Sequence, residues 1–418
     1  MDETHVVTCF LRHRASVLLV RRSDAVGSYS GLWGGVSGYA EGQPTEQAHN
    51  EIDEETGLTT ARCVRSGEPL SVTDDRYDTE WIVHPYLFDC DSRAVEPNKE
   101  IAEYEWVSPV EIHRRETVPG LWAAYERVAP TVDTVAADDE HGAEYLSLRA
   151  LELLRDAASV REYGTTDRSL SQLARRLQTA RPNMSVVATR INRVMYDAGA
   201  DASVLGAAER AIKRVLSARD RVTEAGVDQL PEEPTVLTLS RSGTVRRTLE
   251  RVEGALDVYV AVSRPGGEGI AVAESLSSTA DVTLLPDGAI AHALSTAEID
   301  AVLLGADTVL ADGRVVNKVG TRTAAIAAAH EGIPVYAVTT EDKIRPEQQR
   351  TDSPDQPVNS GGGEATVYDG TVDLDVLAPI FDVTPAALIT VVTEDGPQSV
   401  ADIERTATRH REYTTWDQ

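Results

Sequence analysis

Glu51, Glu54 and Glu55 stand at i, i+3 and i+4 in a stretch with helical patterning. That spacing puts three carboxylates on one face of one helical turn. Like charges repel there, so a counter-charge is expected. A hard divalent cation is the natural one, because Mg2+, or Mn2+ in its place, takes carboxylate oxygens, keeps several waters and bridges to substrate phosphates. Such an ion polarises a phosphoryl oxygen and lowers the pKa of a water that attacks phosphorus. In a chain this acidic, a solvated acidic helix face is the other reading of the same spacing.

A second run with chemistry in it reaches from Gly305 to Thr321. Asp307 follows a short apolar stretch, Gly313 marks a turn, and Asn317 and Lys318 stand just before a Gly320-Thr321 pair that opens a helical pattern. A helix N-terminus with a lysine beside it is a ready anion site, and phosphate is its usual occupant. The plainer reading makes Asp307 the cap of a local turn and Lys318 a surface charge. Composition weakens it: lysine occurs only at Lys99, Lys213, Lys318 and Lys343, leaving 36 arginines among the 40 basic residues.

The elements that must position these residues fall into three segments. Residues 1–130 read as strand-rich, with alternating or apolar runs at 5–11, 15–20 and 81–88. A glycine-punctuated loop over 27–42 leads to a helix from about Thr45 to Thr56, which Gly57 stops. An acidic stretch over 131–143 reads as a linker. Residues 144–226 are helical, with Pro182 starting a helix or a turn. Residues 234–398 alternate short apolar strands, at 236–240, 258–263, 282–286, 301–305 and 335–339, with helix-sized gaps. That is the pattern of a doubly wound parallel α/β sheet, whose ligands bind at the carboxyl ends of the strands. Ser240, Asp287, Asp307 and Lys343 all follow such ends. A Gly, Pro and Ser-rich loop at 353–363 interrupts the pattern, which 381–393 completes.

The run from Gly38 through Glu51, Glu54 and Glu55 to Gly57 and Leu58 resembles the Nudix box, the signature of hydrolases acting on nucleoside diphosphates linked to another group. The loop before it, Gly31 to Gly38, is similar to the one that leads into that box. The resemblance implies an α/β/α sandwich with a mixed sheet over about the first 130 residues. It also implies that Glu51, Glu54 and Glu55 hold the catalytic magnesium, with Glu54 and Glu55 catalytic. Gly38 to Gly57 is shorter than the family pattern, with Gln43 where a glutamate is expected. Asn50 stands where the family has an arginine.

The remaining segments resemble the family that unites ribose-1,5-bisphosphate isomerase, methylthioribose-1-phosphate isomerase and the alpha, beta and delta subunits of translation initiation factor 2B. Four motifs carry this in order. They are Arg181-Pro182-Asn183-Met184, then Ser263-Arg264-Pro265 with Gly269, then the Asp307 to Thr321 run, then Phe381 to Thr384 with Thr393 to Gly396. The resemblance implies a helical subdomain and a Rossmann-like domain. Asp307 would be a proton-transfer residue, and Arg264, Asn317 and Lys318 would contact phosphate or sugar. Ser240 falls where the isomerases have their catalytic cysteine, and a hydroxyl is a far poorer acid than a thiol. The Arg-Gly-Ala run of the isomerases survives as Arg168-Ser169-Leu170.

Net charge is -28, from 68 acidic and 40 basic side chains. That excess suits a halophilic, salt-in cytoplasm and argues against nucleic-acid and membrane partners. No run reaches the length of a membrane span. Cys9, Cys63 and Cys90 lack metal spacing and read as reduced. The expected protein is a cytoplasmic Mg2+-dependent hydrolase of a nucleoside diphosphate derivative such as ADP-ribose. It is fused to a sugar-phosphate or nucleotide-binding region through which it forms a homo-oligomer. Two alternatives stand beside this: a non-catalytic metabolite sensor, and an active isomerase that uses Ser240.

Overall fold

The structure is a computed structural model and describes residues 2–40, 42–74, 76–163, 169–182, 184–199, 203–346, 367, 370, 372 and 374–417. The loop expected at 353–363, Arg168 and Asn183 lie outside the described residues. Two compact units divide the chain: residues 1–131 with 155–168, and residues 132–154 with 169–418.

The first unit is built on one mixed sheet. Its strands are β1 (Asp2–His13), β2 (Ser16–Arg22), β3 (Trp33–Gly34), β4 (Val36–Tyr39), β5 (Arg62–Ser66), β6 (Leu70–Asp74), β7 (Thr79–Asp89) and β8 (Ile101–Val107). The order is β3-β2-β1-β7-β5, with β4 on β1, β6 on β7 and β8 on β2. Among its described strands, β1 and β7 pair in parallel and the other strand pairs are antiparallel. Strand β1 decides the layering, because successive side chains leave a strand on opposite faces. Val7, Cys9 and Leu11 join a cluster with Ala48 and Ile52 of helix α1 (Pro44–Thr56). Phe10 joins a separate cluster with Leu121, Ala124 and Tyr125 of α2 (Leu121–Val128). A helix therefore covers each face, as the α/β/α sandwich requires. Helix α1 begins at Pro44, whose missing N–H is harmless in the first turn. It ends at Gly57, which takes the left-handed φ of 69° and returns its N–H to the Asp53 carbonyl.

Where the sequence suggests a linker, the structure forms a short helix, α3 (Val132–Ala137). Helix α4 (Ala143–Tyr163) is shared between the units, which divide at Leu154 and Arg155. Helices α5 (Leu170–Ala180), α6 (Ser185–Gly199) and α7 (Val204–Val227) follow, so Pro182 sits in the turn before α6 rather than at its start.

The second unit then alternates β9 (Thr235–Leu239), α8 (Gly243–Glu250), β10 (Asp257–Ala261), α9 (Glu268–Leu276), β11 (Asp281–Leu285), α10 (Ile290–Thr296) and β12 (Ala301–Leu304). Next come β13 (Thr308–Val309), β14 (Val315–Lys318), α11 (Thr321–Glu331), β15 (Val335–Val338), β16 (Phe381–Thr384), β17 (Thr390–Thr393), β18 (Gly396–Gln398) and α12 (Val400–Glu412). The large sheet runs β11-β10-β9-β12-β15-β17-β18, and β13-β14-β16 form a small antiparallel sheet. Chain order reverses between β9 and β12, which makes that crevice the switch point. The expected all-parallel sheet closes with one antiparallel strand. Only Glu394 and Asp395 separate β17 from β18, and a parallel return needs a crossover of a dozen or more residues.

A buried charge network ties helices to the sheet ends in this unit. Arg190 Nε donates to Asp342 Oδ2 at 2.9 Å and Arg190 Nη1 to Ser147 Oγ at 2.7 Å. Glu394, beside it, accepts from the Glu341 N–H at 2.9 Å. Burial chiefly, with Asp342 and Glu341 adding, pushes its carboxyl up to about 7. A carboxyl raised above its unfolded value holds its proton in the folded state. Its stabilising contribution is therefore complete below about pH 4 and is lost as pH rises through about 7. Glu394→Gln should gain on the wild-type chain in unfolding free energy from urea titration as pH goes from 5 to 8, by up to about 3 kcal/mol. A difference that does not change with pH would remove Glu394 as the titrating group. No helix among the described residues is long and apolar enough to cross a membrane.

Candidate functional site

The first unit holds a cavity of about 310 Å3, and its lining includes Glu51 and Glu54 of α1, Arg22, Ser37, Glu100 and Trp81. The helix face foreseen from spacing thus opens onto a cleft. Glu54 is exposed, Glu51 half-buried and Glu55 buried. Glu51 accepts from Gln47 Nε2 at 2.7 Å. Gly38 lets this carboxylate lie against β4, since a Cβ there would run into it. Glu55 Oε1 accepts from the Ser37 N–H at 3.2 Å. Burial above all pushes the Glu55 carboxyl up to about 8; Glu51 and Glu100 push the same way, while the Ser37 N–H and Arg22 oppose them.

These residues fit a divalent cation. A carboxyl whose pKa is raised by burial, with like charges beside it, belongs to a donor set that a hard cation would complete. Two cavity residues, Glu100 and Arg22, carry no signal in local spacing. Glu100 arrives because the backbone before β8 is tied to α1, Glu96 N to Thr56 O at 2.9 Å and Asn98 N to Glu55 O at 3.2 Å.

Away from the carboxylates the cavity is walled by apolar and aromatic groups, among them Val72, Trp81, Val83 and Tyr29. Tyr29 lies 4.7 Å from Tyr77 and 6.0 Å from Trp81 between ring centroids. Trp33 and Trp122 instead pack against the α2-side core.

In the second unit, Ser240 and Asp307 follow β9 and β12, the two strands that flank the switch point. Asp307 follows β12, and burial raises its pKa while Lys343 and Lys318 pull it down. Lys343 Nζ donates to the Ala306 carbonyl at 2.6 Å. Lys318 is buried, not a surface charge, and its ammonium pairs with Glu268 Oε1 at 2.8 Å. Asn317 is also buried, donating to Thr321 Oγ1 at 2.9 Å. The N-terminus of α11, expected as an anion site, is met instead by Asp382, which accepts from Gly320 N at 2.9 Å and Arg322 N at 3.1 Å. Ser240 takes a φ of 62° and donates its N–H to Ser263 Oγ at 2.6 Å. Asp287 accepts from the N–H groups of Ser263 and Arg264, both at 2.7 Å. The Arg264 side chain itself is exposed.

Glu341, Asp342 and His410 also bring ligand atoms within 4.8 Å of one another. Arg190 already binds Asp342, and Arg193 lies 3.3 Å from Glu341. Guanidinium groups supply the counter-charge there.

The initiation factor 2 subunit family matches residues 139–398 and the NUDIX domain residues 3–128. Ribose 1,5-bisphosphate isomerase of Haloterrigena turkmenica is 30% identical over 309 residues, covering 66% of this chain and 93% of that protein. Methylthioribose-1-phosphate isomerase 1 of Trypanosoma cruzi is 28% identical over 324 residues, covering 67% and 85%. Among solved structures, the Pyrococcus horikoshii OT3 translation initiation factor eIF-2B superposes with a TM-score of 0.51 at 20% identity, covering 64% of this chain and 94% of that one. That likeness extends to the fold. The matches agree with both resemblances read from the sequence.

Proposed function

Since the chain belongs to the initiation factor 2 subunit family and carries a NUDIX domain before the family region, we propose that it is a two-function protein. The first unit hydrolyses a nucleoside diphosphate derivative of the ADP-ribose type, and the second binds a phosphorylated ribose or nucleotide. The observation that carries the hydrolase reading is the meeting of Glu51, Glu54 and Glu100 in one cavity with an aromatic wall. The buried Glu55 lies behind them.

Glu51, Glu54 and Glu55 would hold Mg2+ or Mn2+. When bound, that ion supplies Lewis-acid polarisation of a phosphoryl oxygen and counter-charge for the carboxylates. The chain's own residues do the rest. Glu100 accepts a proton from the water that attacks phosphorus, and the diphosphate P–O bond breaks. ADP-ribose would give AMP and ribose 5-phosphate. Tyr29 and Trp81 provide flat apolar surfaces of the kind on which a nucleobase stacks. In the second unit, a sugar phosphate would lie at the ends of β9 and β12, near Ser240 and Asp307, with Arg264, Asn317 and Lys318 as its candidate contacts.

The test is to assay the full chain in molar KCl with Mg2+ against a panel of nucleoside diphosphate derivatives. AMP and a sugar phosphate in equal amounts are expected from ADP-ribose or a close analogue. Failure to cleave any diphosphate, with ligands still raising the melting temperature, would replace this reading with the metabolite-sensor one.

A further inference from the structure

Box arginine is missing at position 50, where Asn50 is exposed on α1. The carboxylate most in need of orientation is nevertheless the buried Glu55, which has Glu51 and Glu100 among the charges acting on it. Arg22 is the one cationic side chain among the described residues lining the cavity. It sits at the end of β2 and makes two directed bonds, Nε to the Ser28 carbonyl at 3.0 Å and Nη1 to Ser37 Oγ at 2.8 Å. Ser37, on β4, is the residue whose N–H meets Glu55 Oε1 at 3.2 Å.

The two bonds do different things. The bond to Ser28 fixes the guanidinium against the loop that follows β2. The bond to Ser37 fixes the strand residue that holds the acid. A fork-shaped guanidinium can do both at once, which a lysine ammonium cannot match.

We propose that Arg22, acting through Ser37, is the positioning residue for the Glu55 carboxylate, and so for cation binding by Glu51, Glu54 and Glu55. It would supply near the carboxylates the guanidinium that this chain lacks at position 50. The proposal rests on the carboxylate-metal reading above. Partners of metal-binding carboxylates contribute about 10- to 100-fold in affinity or activity, and that is the effect to look for.

The experiment titrates the full chain with Mn2+ alone by calorimetry, without substrate, and follows each variant's melting temperature. R22Q should bind Mn2+ about 10- to 100-fold more weakly than wild type at an unchanged melting temperature. R22K should fall between the two, and the double variant R22Q/N50R should recover part of the loss. Wild-type affinity in R22Q overturns the proposal. So does a double variant no better than R22Q, or equal losses in R22Q and R22K accompanied by a lowered melting temperature. A wild-type chain that binds no Mn2+ would fail the carboxylate-metal reading itself, which separates the two claims.

Discussion

Replacing Glu54 with glutamine should lower diphosphate cleavage by about 10²- to 10³-fold, the range seen when one charge-stabilising group is removed from an active site. The fold should not notice. Glu54 is exposed on α1, glutamine keeps its shape and helix propensity, and exposed substitutions usually stay within about 0.5 kcal/mol. Relief of repulsion from Glu51, one turn away, makes a slight rise in melting temperature the expected sign. Steady-state rates across a Mg2+ series would check this, and high Mg2+ should recover part of the loss if the carboxylate acts by holding the ion. Unchanged activity would exclude Glu54 from the site and leave α1 as a solvated acidic face.

Glu55 is not interchangeable with Glu54 in this argument. Its carboxyl is buried and shifted to about 8, so Glu55→Gln removes little charge from the metal-free chain near neutral pH. The same substitution removes a whole ligand from the metal-bound one. The two acids share a helical turn in the sequence, and only burial separates their behaviour.

Local features were legible before the fold was known. Helix α1 could be read, one residue short of its start at Pro44, because its signals are local: carboxylates at helical spacing and Gly57 as left-handed cap. The order of strands and helices in the second unit was legible for the same reason. Arg22 and Glu100 were not. Strand β8 pairs with β2 so that Ile101 lies opposite Arg22, a neighbourhood that no spacing along the chain encodes. Asp382 was missed as the occupant of the α11 N-terminus because β16 reaches β14 only through the small antiparallel sheet, where Asp382 pairs with Asn317. Pattern identifies elements, and it does not say which distant side chain completes the site between them.

The same limit gives the second unit its sharpest test. Ser240→Cys should raise conversion of ribose 1,5-bisphosphate to ribulose 1,5-bisphosphate by about 10²-fold over wild type, the low end of what a well-placed acid or base contributes. Strand pairing favours the placement. Val236 and Leu237 of β9 lie opposite Ala301 and Val302 of β12, and continuing that register brings Ser240 to Gly305, two residues before Asp307. The Ser240 backbone is fixed by its own N–H on Ser263, a bond that a thiol at the same position leaves in place. Acidity is then the main change, because a thiol of pKa about 8.5 ionises far more readily than a hydroxyl. Burial raises the Asp307 pKa against the pull of Lys343 and Lys318, the direction that a carboxyl serving as a proton donor would need. Adding Asp307→Asn to Ser240→Cys should therefore abolish the gain. A wild-type chain that already turns over as fast as Ser240→Cys would show that the serine suffices, and the second unit would then be a working isomerase.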